Sequence, residues 1–476
     1  MSTRTAMKLP AGIKPYQYTL AIAPNLNDFT FQGKETIDII ITESTSEIRL
    51  HCVALKIESC EFTDTSKSTL VPCKTVLDPE TETITFKFPS DLPKGKATIS
   101  LVFTGELNEK LRGFYRSSYT DTQGNSKYIA TTQFEPTDAR RAFPCWDEPD
   151  IKAKFRLTLL VPNDVVAISN MPILSESYDS PNMVRTEFQE TPLMSTYLLA
   201  FIVGDLRSIE RKTIDGTLIR VWARPGKEQE GQFALDVSEQ LLAYFNEYFG
   251  IHYPLGKLDH IAIPDFAAGA MENWGAITYR EPAILVNPKN SSAATKQNVA
   301  SIIAHEMAHM WFGDLVTMKW WNDLWLNESF ASWMGDKAVD HLFPEWEIWT
   351  QFVSYETNRA LDLDGLENSH PIEQDVTNPA QIGQLFDAIS YSKGASVLRM
   401  LERYIGDDVF RRGLQKYIQK YRYNNATTVN LWSELGEVSG KPVEDIMNTW
   451  VKQTGYPVLN VRTESSKKFT RITTTQ

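Results

Sequence analysis

The chain has few of the residues that hold a secreted or membrane-bound protein together. Four cysteines in 476 residues (Cys52, Cys60, Cys73 and Cys145) are too few for a disulfide framework, and none stands at zinc-ligand spacing. They read as small buried side chains in a reducing compartment. No run of eighteen apolar residues occurs, and the opening "MSTRTAMKLPAGIKPYQYTL" holds no apolar segment before a cleavage site. A soluble cytoplasmic protein, with no membrane partner, is the expectation. Positive charge is also short: 48 Lys and Arg face 60 Asp and Glu, a net charge of −12. That balance argues against nucleic acid as a partner and mildly favours cationic substrates. Histidine is scarce, seven in all, so two of them on one helix face carry weight.

What is present divides into two halves. Through the first two hundred residues apolar side chains alternate with period two, as in "ETIDIIIT" (35–42), "TETITFKFP" (81–89), "KATISLVFTGEL" (96–107) and "KAKFRLTLLVP" (152–162). These are strand patterns, and they predict a large, twisted, antiparallel β domain over 1–208. The period then changes. In "FALDVSEQLLAYFNEYFG" (233–250), Phe233, Val237, Leu241, Tyr244, Phe245 and Tyr248 recur at helical spacing, and Gly250 stands where a C-cap glycine belongs. A second domain, α+β and mostly helical, is expected over 209–457. Residues 458–476 begin as a strand and turn polar, like the stub of a third domain.

Three features of the second half carry chemistry. "GAMENWG" (269–275) sets one carboxylate, Glu272, among small residues, which suits close approach of a backbone and a fixed negative charge. "SIIAHEMAHMWFGDLV" (301–316) holds His305-Glu306-x-x-His309. Residues four apart share a helix face, so both imidazoles can reach one metal ion, with Glu306 beside the open position as a base. Two histidines leave a catalytic zinc one protein ligand short. Glu328, nineteen residues after His309, supplies a carboxylate among Trp320, Trp321, Trp325, Phe330 and Trp333, where an unpaired charge would be costly. The interval fits a helix end, a reversal after Gly313 and a second helix packed antiparallel on the first. The tryptophans read as core and pocket walls.

With these motifs in order, the sequence resembles the M1 family of zinc aminopeptidases, of the gluzincin clan, in its eukaryotic puromycin-sensitive and leucyl-type branch. The resemblance runs from "LPAGIKPYQYTL" through "TQFEPTDARRAFPCWDEP" (132–149) and "YSKGASVLRML" (391–401) to "WVKQTGYPVLNV" (450–461). It implies a saddle-like N-terminal β domain, a thermolysin-like catalytic domain and one Zn2+ per chain on His305, His309 and Glu328. Glu306 would then be the general base, and Tyr391 would donate its hydroxyl to the oxyanion. Glu272 and Glu135 would hold the α-ammonium of a peptide with a free N-terminus. Gln133 would line the first side-chain pocket, and Gly269, Ala270, Met271 and Asn273 would flank the bound peptide. The implied activity is release of a neutral or basic N-terminal residue. An endopeptidase is the nearest alternative, and Glu272 and Glu135 argue against it. An alternative of another class, raised by the tail, is a truncated, non-catalytic form with a binding or regulatory role.

Overall fold

A computed structural model describes residues 8–476. Residues 13–223 are strand-rich and residues 228–451 are mostly helical, in the order the two hydrophobic periods predict. The largest sheet has eight strands, with Ile13–Asn25 and Thr30–Ile41 near its centre. Their alternation is physical: Tyr18, Leu20, Ile22, Ile37 and Ile39 are buried, while polar neighbours face outward. Most pairings are antiparallel, and Ile13–Asn25 pairs in parallel with Lys154–Pro162. At one edge lies a hairpin of Ile173–Ser180 and Met183–Phe188, whose outer strand is exposed at every residue. A four-stranded sheet carries Ser126–Gln133, which delivers Gln133 and Glu135 to the boundary with the second half.

The strand Arg207–Lys212 pairs with Leu218–Ala223 and thereby joins a five-stranded mixed sheet that also holds Lys257–Ile263, Ala276–Arg280 and the short Ala270–Met271. The helices pack beside this sheet. Helix α1 (Gln232–Phe249) buries Leu235, Val237, Leu241, Leu242, Phe245 and Phe249 and ends at Gly250, whose φ of 64° is the left-handed C-cap the sequence signals. Helix α2 (Ala293–Ala308) starts where Ser292 accepts a 3.1 Å hydrogen bond from the Thr295 amide. Helix α3 (Trp325–Leu342) follows. Between α2 and α3 the chain reverses at Gly313, with φ 135°.

A Cβ added to Gly335 on α3 would lie 2.9 Å from the His305 amide nitrogen, so only glycine permits this approach. His305 therefore meets Gly335, and His309 meets Glu328, which makes α2 and α3 antiparallel. Trp321, Trp325 and Trp333 are fully buried, and none of the tryptophans borders the cleft described below. They are core, and the expectation that they also wall the pocket is corrected. At the far end, Asn460–Ser465 and Thr470–Thr475 form an exposed antiparallel hairpin. The polar run "TRITTT" is a strand after all, because β-branched threonine suits extended backbone.

Candidate metal centre and peptide cleft

Along α2, His305 and His309 are one turn apart, and their Nε2 atoms come within 3.0 Å of each other. Glu328 reaches them from the first turn of α3, its Oε2 lying 3.2 Å from His305 Nε2 and 3.5 Å from His309 Nε2. One ligand atom from each of the three residues falls within 4.8 Å of the others. The outer nitrogens are engaged elsewhere. His309 Nδ1 lies 2.9 Å from the Phe312 carbonyl, and His305 Nδ1 lies 3.3 Å from the Ser332 hydroxyl. A carbonyl only accepts, so His309 carries a proton on Nδ1, and Nε2 is the nitrogen aimed at Glu328. Two imidazole Nε2 atoms beside a carboxylate are a donor set that fits zinc once those nitrogens are deprotonated.

Electrostatics points the same way. Burial alone would raise the Glu328 carboxyl, but hydrogen bonds to His305 and His309 outweigh it and bring its pKa down to about 2. Burial raises Glu306, Glu272 and Glu135 instead, and the neighbouring carboxylates push Glu135 up further. Glu306 Oε2, Glu272 Oε1, Glu135 Oε1 and Gln133 Oε1 are buried with no hydrogen-bond partner among the described residues. Glu135, Glu272, Glu306 and Glu328 crowd together in one cleft, three of them with an idle oxygen, and form a site that calls for cations.

The cleft measures about 970 Å3, and Gln133, Glu135, Gly269, Ala270, Glu272, His305, Glu306, His309, Glu328 and Tyr391 all line it. Residues from both halves of the chain thus meet around the candidate metal centre. Above Gly269 the space is open, since a Cβ there would meet nothing within 4 Å. Tyr391 sits on a π-helical turn, Ile389–Lys393, and its ring stacks at 5.8 Å on that of His305. Burial raises its hydroxyl pKa well above the ordinary value, so it is a donor at neutral pH. Met271 and Asn273 do not line the cleft. Both are buried, and Asn273 Nδ2 donates to Thr278 Oγ1 at 3.0 Å. Side chains alternate along extended backbone, so when Ala270 and Glu272 face the cleft their neighbours face the sheet.

Sequence reasoning missed several wall residues. Asn298, Ser301 and Ile302 precede His305 by seven, four and three positions on α2, and Asp336 follows Glu328 by eight on α3. Helical periodicity could have found these. Tyr355, Glu356, Arg359 and Phe386 come from segments with no local signal.

Comparison with known proteins returned two matching family descriptions: the peptidase M1 N-terminal domain over residues 14–198 and the peptidase family M1 domain over 233–450. Aminopeptidase M1 of Arabidopsis thaliana is 50% identical over 463 residues, covering 97% of this chain and 52% of the relative. Aminopeptidase M1-B of Oryza sativa subsp. japonica is 49% identical over 458 residues, 96% of this chain and 51% of the relative. The puromycin-sensitive aminopeptidase of Caenorhabditis elegans is 45% identical over 459 residues, 95% and 48% respectively. The chain spans about half the length of these relatives. Among the described residues no helix is long and apolar enough to cross a membrane.

Proposed function

The chain belongs to peptidase family M1, and from that premise we propose that it is a zinc-dependent aminopeptidase releasing neutral or basic N-terminal residues from peptides. The observation that carries the reading is the pairing of two kinds of acid in one cleft: Glu328, spent on His305 and His309, and Glu272 and Glu135, which keep unpartnered oxygens beside them. The first kind suits a metal ion. The second suits an ammonium group, and a terminal ammonium is what separates a peptide's end from its middle.

His305, His309 and Glu328 would hold zinc, which when bound supplies Lewis-acid activation of a water and of the scissile carbonyl. Glu272 and Glu135 take the substrate ammonium and so set the first peptide bond over the centre. Glu306, buried and with a raised pKa, accepts the proton of the attacking water and returns it to the leaving amine. Tyr391 donates its hydroxyl to the carbonyl oxygen as negative charge develops there. Gln133, with its Oε1 free, borders the space for the first side chain. A reducing compartment such as the cytosol suits the four free thiols, three of them buried.

The non-catalytic alternative is not favoured, because the cleft brings together Glu306, Tyr391 and the three side chains that would hold the metal. Hydrolysis of leucyl anilide beside that of its N-acetylated form tests the proposal. Rapid release from the free amine with little from the acetylated form is expected. Equal rates on both would point to the endopeptidase alternative, and no rate on either, with zinc bound, would overturn the enzyme.

A further inference from the structure

A second cavity, of about 430 Å3, lies where the edge hairpin of the first half meets the sheet of the second. It shares no lining residue with the peptide cleft. Packing voids in protein interiors are seldom larger than a water molecule, whereas ligand pockets run from about 300 to 1,000 Å3 and favour domain boundaries. Val161, Val166, Ile168, Val184, Phe188 and Trp222 give it an apolar lining.

The deep end is charged. Arg220 makes a fork onto Asp259, Nε to Oδ1 at 2.6 Å and Nη2 to Oδ2 at 2.8 Å. Lys257 Nζ reaches Asp259 Oδ2 at 2.7 Å and the Gly275 carbonyl at 2.6 Å. Two cations thus share one carboxylate whose oxygens are both taken. Arg220 Nη1 and one N–H of Lys257 have no hydrogen-bond partner among the described residues, so this end can take an acceptor and has nothing to offer a cation. Glu176 is the other charged group in the lining. It stands on the exposed strand of the hairpin, where it accepts from the Thr186 hydroxyl and solvent screens its charge.

Three polar side chains of the wall are already engaged. Ser169 donates to the Ala200 carbonyl, Asn163 to the Pro181 carbonyl and Thr186 to Glu176, while Trp222 Nε1 is buried with no partner among the described residues and adds a donor to the lining. We propose that this cavity binds a medium-chain alkyl carboxylate, with its carboxylate on Arg220 and Lys257 and its chain along the valine and phenylalanine wall.

Isothermal titration of the intact chain with decanoate, decylammonium and N-acetyl-leucyl-leucine tests this. Decanoate is expected to bind one to one and at least tenfold more tightly than either other probe. Arg220→Gln should weaken decanoate at least tenfold by removing the charged head contact, and Val184→Trp should do the same by filling the cavity. Should Val184→Trp fail to fold, Arg220→Gln decides alone, since Asp259 keeps Lys257 as its partner. Decylammonium or the acetylated dipeptide binding as tightly as decanoate would overturn the assignment. So would unchanged binding in folded variants, or displacement of decanoate by leucinamide, which would put it in the peptide cleft.

Discussion

The two acid groups of the main cleft differ in how they are supported. Around the candidate metal centre each ligand is held: His309 by the Phe312 carbonyl, His305 by Ser332, Glu328 by both imidazoles, and Gly335 lets α3 press against the His305 backbone. The side proposed to take the ammonium is the opposite. Glu135 comes from the first half and Glu272 follows the short strand Ala270–Met271 of the second, and each keeps an oxygen with no partner. A resident ion needs ligands arranged before it arrives, whereas a substrate that comes and goes is recognised by groups whose partner is missing until it binds.

Four measurements press on this difference. The largest effect is expected from Glu306→Gln, which should keep full zinc content by metal analysis and lose about 10²–10⁴ in kcat, the usual range for general acid–base catalysis. Metal loss along with activity would mean that Glu306 belongs to the supporting group. Glu272→Gln comes next. A charge-assisted hydrogen bond is worth about 1.5–3 kcal/mol, so kcat/KM for leucyl anilide should fall about 10–100-fold while zinc content holds. The rate on the N-acetylated form should not move.

Ser332→Ala acts on the metal side without touching the ion, and should weaken zinc affinity about tenfold in a chelator competition, as loss of a ligand's outer partner does. An unchanged affinity would show His305 to be held by packing alone. The smallest effect belongs to Asp336, whose carboxyl is pushed up to about 8 by burial and then by Glu356. Folding therefore prefers its protonated form, and stability is lost as pH rises from about 4, where the unfolded chain ionises, to about 8. Asp336→Asn removes that penalty. Its melting temperature should exceed wild type by about 2 °C at pH 8 and match it at pH 4.

Whatever repeats locally was legible in the sequence. Gly250 as a cap, the reversal at Gly313 and the meeting of His305, His309 and Glu328 all follow from helical spacing within one continuous segment. The placement of Glu135 in this cleft came from resemblance, since no local pattern ties residue 135 to residue 272; two separate sheets must meet to bring them together. Met271 and Asn273 were expected beside the peptide because motif membership does not tell which face of a strand a residue takes. Met271 pairs with Thr278 and Asn273 Nδ2 donates to the hydroxyl of the same residue, which decides it. The polar tail misled for a related reason: threonine content looks like loop until a neighbouring strand gives it somewhere to pair.

The parallel pairing of Ile13–Asn25 with Lys154–Pro162 sets an order of events during synthesis. Thr30–Ile41 can close one edge of the first strand as soon as it is made, by a short hairpin. The other edge has to wait until the ribosome has released residue 162, well over a hundred residues later. An open edge next to Leu20 and Ile22 is a template for pairing with the wrong chain. Assembly of the large sheet is therefore the slow step to be expected in this molecule, because its central contact is among the most distant in sequence.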